Sequence, residues 1–299
     1  IICSDGGYHG NSTEVRKLSR FRAGDNANAE FRAIPYPQTY RPLNNDAEAS
    51  ELTNLYLAEV QKAIDDFAAN DIPLAGMFVC SIFANEGLPN IPEHFMKDAA
   101  TLARNAGGLF IADEVQAGFC RTGRWWGYET SDFVPDIVTM GKPMGNGLPL
   151  AGVAASTELV DVFRKHTGYF NTFASSPLQA AVGSAVLDVI EEDDLPKSVT
   201  EVGVYLRTAL RELQQAHEPI GDVRGHGLAV GIDWVLEREN KTPDREGAAD
   251  MANRLKDKGF LLSNMGSFGN LLKIRPPLVF RREHADLFLN AFEETLREL

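Results

Sequence analysis

Two opposite charges stand where buried apolar runs end. Asp113 follows Gly-Leu-Phe-Ile-Ala, and Gly141-Lys142 follows Ile-Val-Thr-Met; a third run, beginning at Leu74, ends at Ser81. If these runs are neighbouring strands, their carboxyl ends open on a shared crevice, the usual place for a ligand in an α/β sheet. An acid after a strand ordinarily caps the next helix, and a lysine in a Gly/Pro loop is ordinarily solvated. At these two positions burial is expected instead, so each charge needs a partner. A lysine partly shielded from water has a lowered pKa and offers a neutral amine able to attack a carbonyl carbon.

The elements that must position this pair alternate. Residues 74–80 read as a strand, 93–105 as a helix stopped by Gly107-Gly108, and 109–112 as the next strand. Further strands are expected at 137–140 and 150–155, and such uninterrupted apolar runs suit a sheet covered on both faces by helices. Two consecutive helices, 177–191 and 196–215, lead out of that layer. Beyond residue 217 the texture changes to strands within 222–235, a helix over 247–258, a strand at 271–275 and a final helix over 282–299. The expectation is an α/β fold of two domains, residues 1–195 with a mixed, mostly parallel sheet and residues 196–299 as a smaller carboxy-terminal domain. The series Gly225-x-Gly227-x-x-x-Gly231 is one residue too long for a dinucleotide fingerprint and leads into a strand, so no NAD site is expected there.

Among 299 residues, 42 acidic and 29 basic ones leave a net charge of -13, which disfavours nucleic acid and anionic membrane surfaces as partners. No apolar stretch is long enough to span a bilayer. Cys3, Cys80 and Cys120 show neither a disulfide framework nor a Cys-x-x-Cys spacing, which points to a reducing, cytoplasmic setting, and the scattered histidines give no metal site. The first residues, Ile-Ile-Cys-Ser-Asp, lack an initiator Met and the order of a signal peptide, so the sequence is expected to start inside a longer gene product.

Asp113-Glu114-Val115-Gln116, then Asp-Ile-Val-Thr-Met-Gly-Lys142, then Gly145-Asn146-Gly147-x-Pro149 resembles the cofactor-binding core of class III aminotransferases, enzymes of pyridoxal phosphate fold type I. The resemblance extends through Tyr8-His9-Gly10-Asn11, Phe119-x-Arg121-Thr122-Gly123, Asn171-Thr172-Phe173, Asp222-Val223-Arg224-Gly225 and Lys273-Ile274-Arg275-Pro276-Pro277-Leu278. Within the family it is nearest to the branch of mitochondrial alanine-glyoxylate aminotransferase and the ethanolamine-phosphate and phosphohydroxylysine phospho-lyases. It implies pyridoxal 5'-phosphate as cofactor, Lys142 as the Schiff-base lysine, and Asp113 against the pyridine nitrogen. It also implies Val115 and Tyr8 on the two ring faces, Gln116 at the ring hydroxyl, and Thr172 reaching into the neighbouring protomer of a homodimer to hold the cofactor phosphate. Arg275 matches the arginine that grips a substrate carboxylate, a task suited to its planar fork. His9 reads as structural and stays outside the expected site.

The implied activity is transamination between an amino donor and an oxo acid. Three departures bear on it. The family's glycine-rich phosphate cradle should lie before Tyr8, where only residues 1–7 stand, so roughly a third of the expected large domain is missing. Ser81 occupies the place of a usual strand-end Glu, with Glu86 at another acidic position that can pair with the carboxylate-gripping arginine. Ala174-Ser175-Ser176 replaces the usual small residues of the phosphate loop. Two alternatives therefore accompany the first reading: a phospho-lyase that expels phosphate from the carbon beside the aminated one, and a non-catalytic fragment without the phosphate loop.

Overall fold

The computed structural model describes residues 1–19, 29–174 and 176–299. The first sheet is assembled from β1 (Ile2–Ser4), β2 (Arg32–Ile34), β3 (Gly76–Cys80), β4 (Leu109–Asp113), β5 (Ile137–Met140) and β6 (Gly152–Ala155), with helices α1 (Ala49–Ala69) and α2 (Phe95–Asn105) between β2 and β4. The strand order is β2-β1-β3-β4-β5-β6. All neighbours are parallel except β5 and β6. Gly76 is required by the closeness of β3 and β4, since a Cβ there would fall 2.3 Å from the Leu109 carbonyl oxygen. The stop after α2 forms as expected: Gly107 adopts φ +84° and Gly108 N–H donates to the Ala103 carbonyl.

One face of this sheet is covered by α1 and α2. Leu52, Tyr56, Val60, Ala63 and Phe67 recur every three or four residues along α1 and are buried, and the last four pack with Phe95, Met96, Ala99 and Ala103 of α2 over Met77, Val79 and Phe110. The expected cover on both faces fails at the β5–β6 flank. All four residues of β5 are only half-buried, Val153 of β6 is exposed, and α3 (Thr157–His166) buries no residue. Tyr169, Phe170 and Phe173 in the following loop are exposed too, as are Leu178 and Leu187 of α4 (Pro177–Glu192). Apolar strands suited to burial thus present an uncovered flank.

From α5 (Leu195–Ala216) onward the chain builds a second core. Strands β7 (Ile220–His226), β8 (Ala229–Trp234), β9 (Ser263–Met265) and β10 (Leu271–Ile274) pair antiparallel in the order β7-β8-β10-β9. With α6 (Arg245–Asp257) and α7 (Arg282–Glu298) they enclose Val199, Leu210, Trp234, Met251, Leu272 and Phe292. The glycine series lies in the tight β7–β8 hairpin, where Gly225 and Gly227 have φ of +122° and +49°. Among the described residues, no helix is long and apolar enough to cross a membrane.

The two sheets are tied by one buried carboxylate. Arg41, from the loop after β2, donates to Asp233 of β8 through Nη1 and Nη2 at 2.9 and 2.6 Å. Arg224 of β7 donates to Asp233 Oδ2 at 2.9 Å, and its Nε reaches the Gly87 carbonyl at 3.0 Å. Asn270 Nδ2 adds a bond of 2.7 Å to Asp233 Oδ1. Burial alone would raise the Asp233 pKa, but the bonds and charges of the two arginines prevail and hold it below the usual carboxylate range.

Removing this carboxylate leaves Arg224 buried without its main counter-charge, so Asp233→Ala is expected to cost about 3–5 kcal/mol in urea unfolding at neutral pH. Because the folded-state pKa is lowered, the contribution is present above the unfolded value of about 4 and is lost as pH falls through the folded value. The gap between wild type and variant should therefore narrow in acid.

Candidate active site

The β4–β5 register builds the site. Asp113 pairs with Thr139, so Lys142, three residues further along, leaves the sheet at the same edge as Asp113. Asp113 is buried, and its carboxylate is fixed from two sides: Oδ1 accepts from Val115 N–H at 3.0 Å, and Oδ2 lies 2.7 Å from His9 Nδ1. The His9 side chain is fully enclosed, edge-on to Phe78 at 4.6 Å, with no partner for Nε2 among the described residues. His9 therefore belongs to the site as the residue that aims Asp113, contrary to the sequence expectation. The signal was present in Tyr8-His9-Gly10, but its partner lies 104 residues away.

Glu114, next along, faces away from the ligand side. It accepts from Ser81 Oγ, Gly127 N–H and Tyr128 N–H, and so anchors the loop that follows β4. Burial raises its pKa, against those hydrogen bonds. Ser81 is thus an internal tether, at a place where a strand-end Glu was the usual residue.

Val115, Gln116, Arg121, Lys142 and Arg275 line a cleft of about 700 Å³, closed on the far side by α4. Lys142 is exposed on its wall, so the shielding expected for it is not found within this chain. It sits in a single 3-10 turn, Lys142–Gly145, with φ +36°, a left-handed conformation that favours glycine. A Cβ on Gly141 would touch Val115 Cγ2 at 3.6 Å, which places the valine directly beside the lysine turn. Thr172 is exposed, within the exposed residues 167–174, and Tyr8 is half-buried beside Asn85; neither lines this cleft.

Arg275 is not alone at the mouth. Its Nη1 donates to Gln116 Oε1 at 2.7 Å, and Lys273, two residues earlier on β10, donates to the same oxygen at 3.1 Å and to the Ala84 carbonyl at 2.7 Å. Lys273 is buried; that burial, with the charges of Arg275 and Lys142, pushes its pKa down to about 8 although Cys80 and Glu86 oppose the shift. Arg121 secures the segment just past Arg275 by donating to the Pro276 carbonyl at 2.5 Å, its own pKa lowered to about 10 by burial and by Arg275. The expected Glu86–Arg275 pairing is absent among the described residues. Glu86 instead accepts from Ser4 Oγ and from Asn85 N–H, enclosed in a site whose desolvation raises its pKa.

Comparison with known proteins follows this geometry. Residues 1–296 match the family model described as aminotransferase class-III. The chain belongs to this family. The class III chain is 36% identical over 303 residues to an Arabidopsis thaliana mitochondrial alanine-glyoxylate aminotransferase 2 homolog, covering 100% of this chain and 61% of that protein. It is 37% identical to an ethanolamine-phosphate phospho-lyase homolog of Caenorhabditis elegans, covering 97% of this chain and 65% of that protein. An Arthrobacter phospholyase solved in complex with phosphoethanolamine superposes with a TM-score of 0.93 at 36% identity, over 100% of this chain and 71% of that one. The class III chain thus spans a little over three fifths of the length of these two curated relatives.

Pyridoxal 5'-phosphate is the cofactor implied by this family, and the side chains suit it. Asp113 offers an ionisable acceptor for a ring nitrogen, Val115 a flat apolar contact, and Lys142 an accessible amine. Gln116 spends its carbonyl oxygen on two cations, which leaves its amide N–H groups as donors for a ring oxygen. Asp113→Asn is expected to keep the fold and much of the cofactor, by absorbance, while turnover falls a hundredfold or more, about 3 kcal/mol of transition-state stabilisation. Near wild-type turnover would remove Asp113 from the ring-nitrogen role.

Proposed function

We propose that this class III chain carries the core of a transaminase that moves an amino group from an amino donor to an oxo acid. The observation that carries the reading is the β4–β5 register, which brings a pinned carboxylate and an accessible lysine to one sheet edge beside Val115 and Gln116. Pyridoxal phosphate, when bound, supplies a ring that accepts the electron pair left as a proton leaves the carbon bearing the nitrogen. Lys142 Nζ holds the cofactor between turnovers and, once released, takes that proton from the substrate carbon. Asp113, aimed by His9, keeps the ring nitrogen protonated. Arg275 and Lys273 receive the anionic end of the substrate, and Arg121 fixes the backbone behind them.

The working unit is a homodimer. The exposed apolar flank formed by Val153, Phe170, Phe173 and Leu178 supports a second copy as its cover, and Thr172 lies in the same flank. The three cysteines are buried and free, in keeping with a cytoplasmic setting. The second reading, a phospho-lyase, is favoured by one observation, the addition of Lys273 to Arg275 at the cleft mouth.

Borohydride reduction of the full-length, cofactor-loaded protein should place a phosphopyridoxyl group on Lys142, read by peptide mass analysis. A label on Lys165 or another lysine, or none, would overturn the assignment. With alanine or an ω-amino acid and an oxo acid, the full-length enzyme should form a new amino acid faster than it releases inorganic phosphate from ethanolamine phosphate. The reverse ranking establishes the lyase.

A further inference from the structure

Gln116 is held from behind. Two cationic N–H donors converge on one atom of its amide, Lys273 Nζ at 3.1 Å and Arg275 Nη1 at 2.7 Å. Only a carbonyl oxygen can accept from both, so this atom is Oε1 and the amide nitrogen points the other way. Among the described residues that nitrogen has no partner, and Gln116 lines the larger cleft together with Lys142.

The two cations are unequal supports. Arg275 is exposed and lies just past the end of β10, and its guanidinium is the group read above as receiving the anionic end of a substrate. Each N–H turned toward that anion is drawn away from Gln116. Lys273 is buried inside a strand whose four members are all buried. Its backbone is paired on both sides, with Gly231 of β8 and Ser263 of β9, and its ammonium is also tied to the Ala84 carbonyl at 2.7 Å. An ammonium has three donors, so two anchor Lys273 and one stays free for a ligand.

We propose that Lys273 is a positioning residue that acts through Gln116. It fixes the direction of the amide, so that Nε2 donates to the ring oxygen of the cofactor whether or not Arg275 is occupied by a substrate. The proposal rests on the reading of Lys142 as the residue that holds the cofactor, and it is independent of which amino compound the enzyme takes. A cation on Oε1 also polarises the amide and strengthens its N–H groups as donors.

The consequence has a definite sign. A donor at the ring oxygen stabilises negative charge there, so the nitrogen joining the cofactor to Lys142 gives up its proton at a lower pH. A Gln116 free to turn presents Oε1 instead, an acceptor facing a negative oxygen, and the linkage keeps its proton to a higher pH. The other titratable or charged groups acting on Lys273 are Arg275 on its own chain segment, Cys80 and Glu86 from the end of β3 onward, and Lys142 after β5, and all of them stay in place in the Lys273 variants.

Absorbance of the full-length, cofactor-loaded protein, titrated with pH in the absence of substrate, reads this acidity directly. Lys273→Met should raise the midpoint by about one pH unit, roughly a tenfold change in the proton equilibrium, and Gln116→Ala should do the same. In the Gln116→Ala background Lys273→Met should add only about 0.2 unit or less, since the group it acts through is gone. Lys273→Arg should restore the wild-type midpoint. Arg275→Ala, at an exposed position where water screens the lost charge, should move it by less than about 0.3 unit. Additive shifts in the double variant would show a plain field effect of the lysine and overturn the proposal, as would a wild-type midpoint in Lys273→Met or a larger shift from Arg275→Ala. If Lys273→Met fails to fold, Gln116→Ala and Arg275→Ala decide: the midpoint must rise in the first and stay in the second, and any other result overturns the proposal. Absence of cofactor on Lys142, read by mass, removes the cofactor reading and this proposal with it; a linkage that forms but ignores Lys273 removes this proposal alone.

Discussion

A carboxylate held between two arginines decides where everything else in this protein sits. Asp233 lies on a strand of the second sheet, yet one of its arginines comes from the loop after β2 of the first sheet and the other also grips the carbonyl of Gly87, in the segment after β3. Three donors converge on its two oxygens in a place from which water is excluded, so the contact is stiff and directional. Because β10 pairs with β8 at Lys273 and Gly231, fixing β8 against the segments of the first sheet also fixes how far Lys273 extends. Its ammonium then lands on the Ala84 carbonyl, three residues from one of those anchor points and on the same segment of chain. The ion pair holds the fold together and sets the ruler for the ligand cleft.

The charge pattern inverts between surface and cleft. The chain as a whole is strongly acidic, but the walls that meet the ligand carry Lys142, Arg121, Arg275 and Lys273 with no carboxylate among them. A concave, poorly solvated site concentrates the field of such a group, so an anion is repelled by the exterior and attracted at the entrance. The lowered pKa values of Lys273 and Arg121 follow from holding these cations out of water beside Arg275.

Much of this was legible from residue order. The runs ending at Asp113 and Met140 read correctly as strands, because an apolar run bounded by a glycine pair or a charged turn has few other folds open to it. Val115, Gln116, Lys142 and Arg275 line one cleft, and Asp113 ends the strand just before Val115. The missed elements have physical reasons. The strands β1, β2 and β9 are three residues each, too short for alternation to show. Helix α1 does carry a recognisable spacing, from Leu52 to Phe67, which could have been found. His9 and Lys273 escaped because their importance lies in partners far away in sequence, though a lysine between apolar neighbours in a short strand is itself a warning that something must receive its charge. The uncovered flank at β6 could not be foreseen from an apolar run, since burial by the same chain and burial by another molecule call for the same residues.

The backbone at Lys142 adds an evolutionary constraint. Glycine or asparagine would adopt its left-handed φ of +36° with less steric conflict, whereas a lysine there gives up about 1 kcal/mol or somewhat more of stability. Random drift toward a sturdier fold would therefore replace this side chain early. Under the role proposed for Lys142, selection on chemistry outweighs selection on folding at this turn, and a more thermostable descendant arises there by the same step that removes the amine.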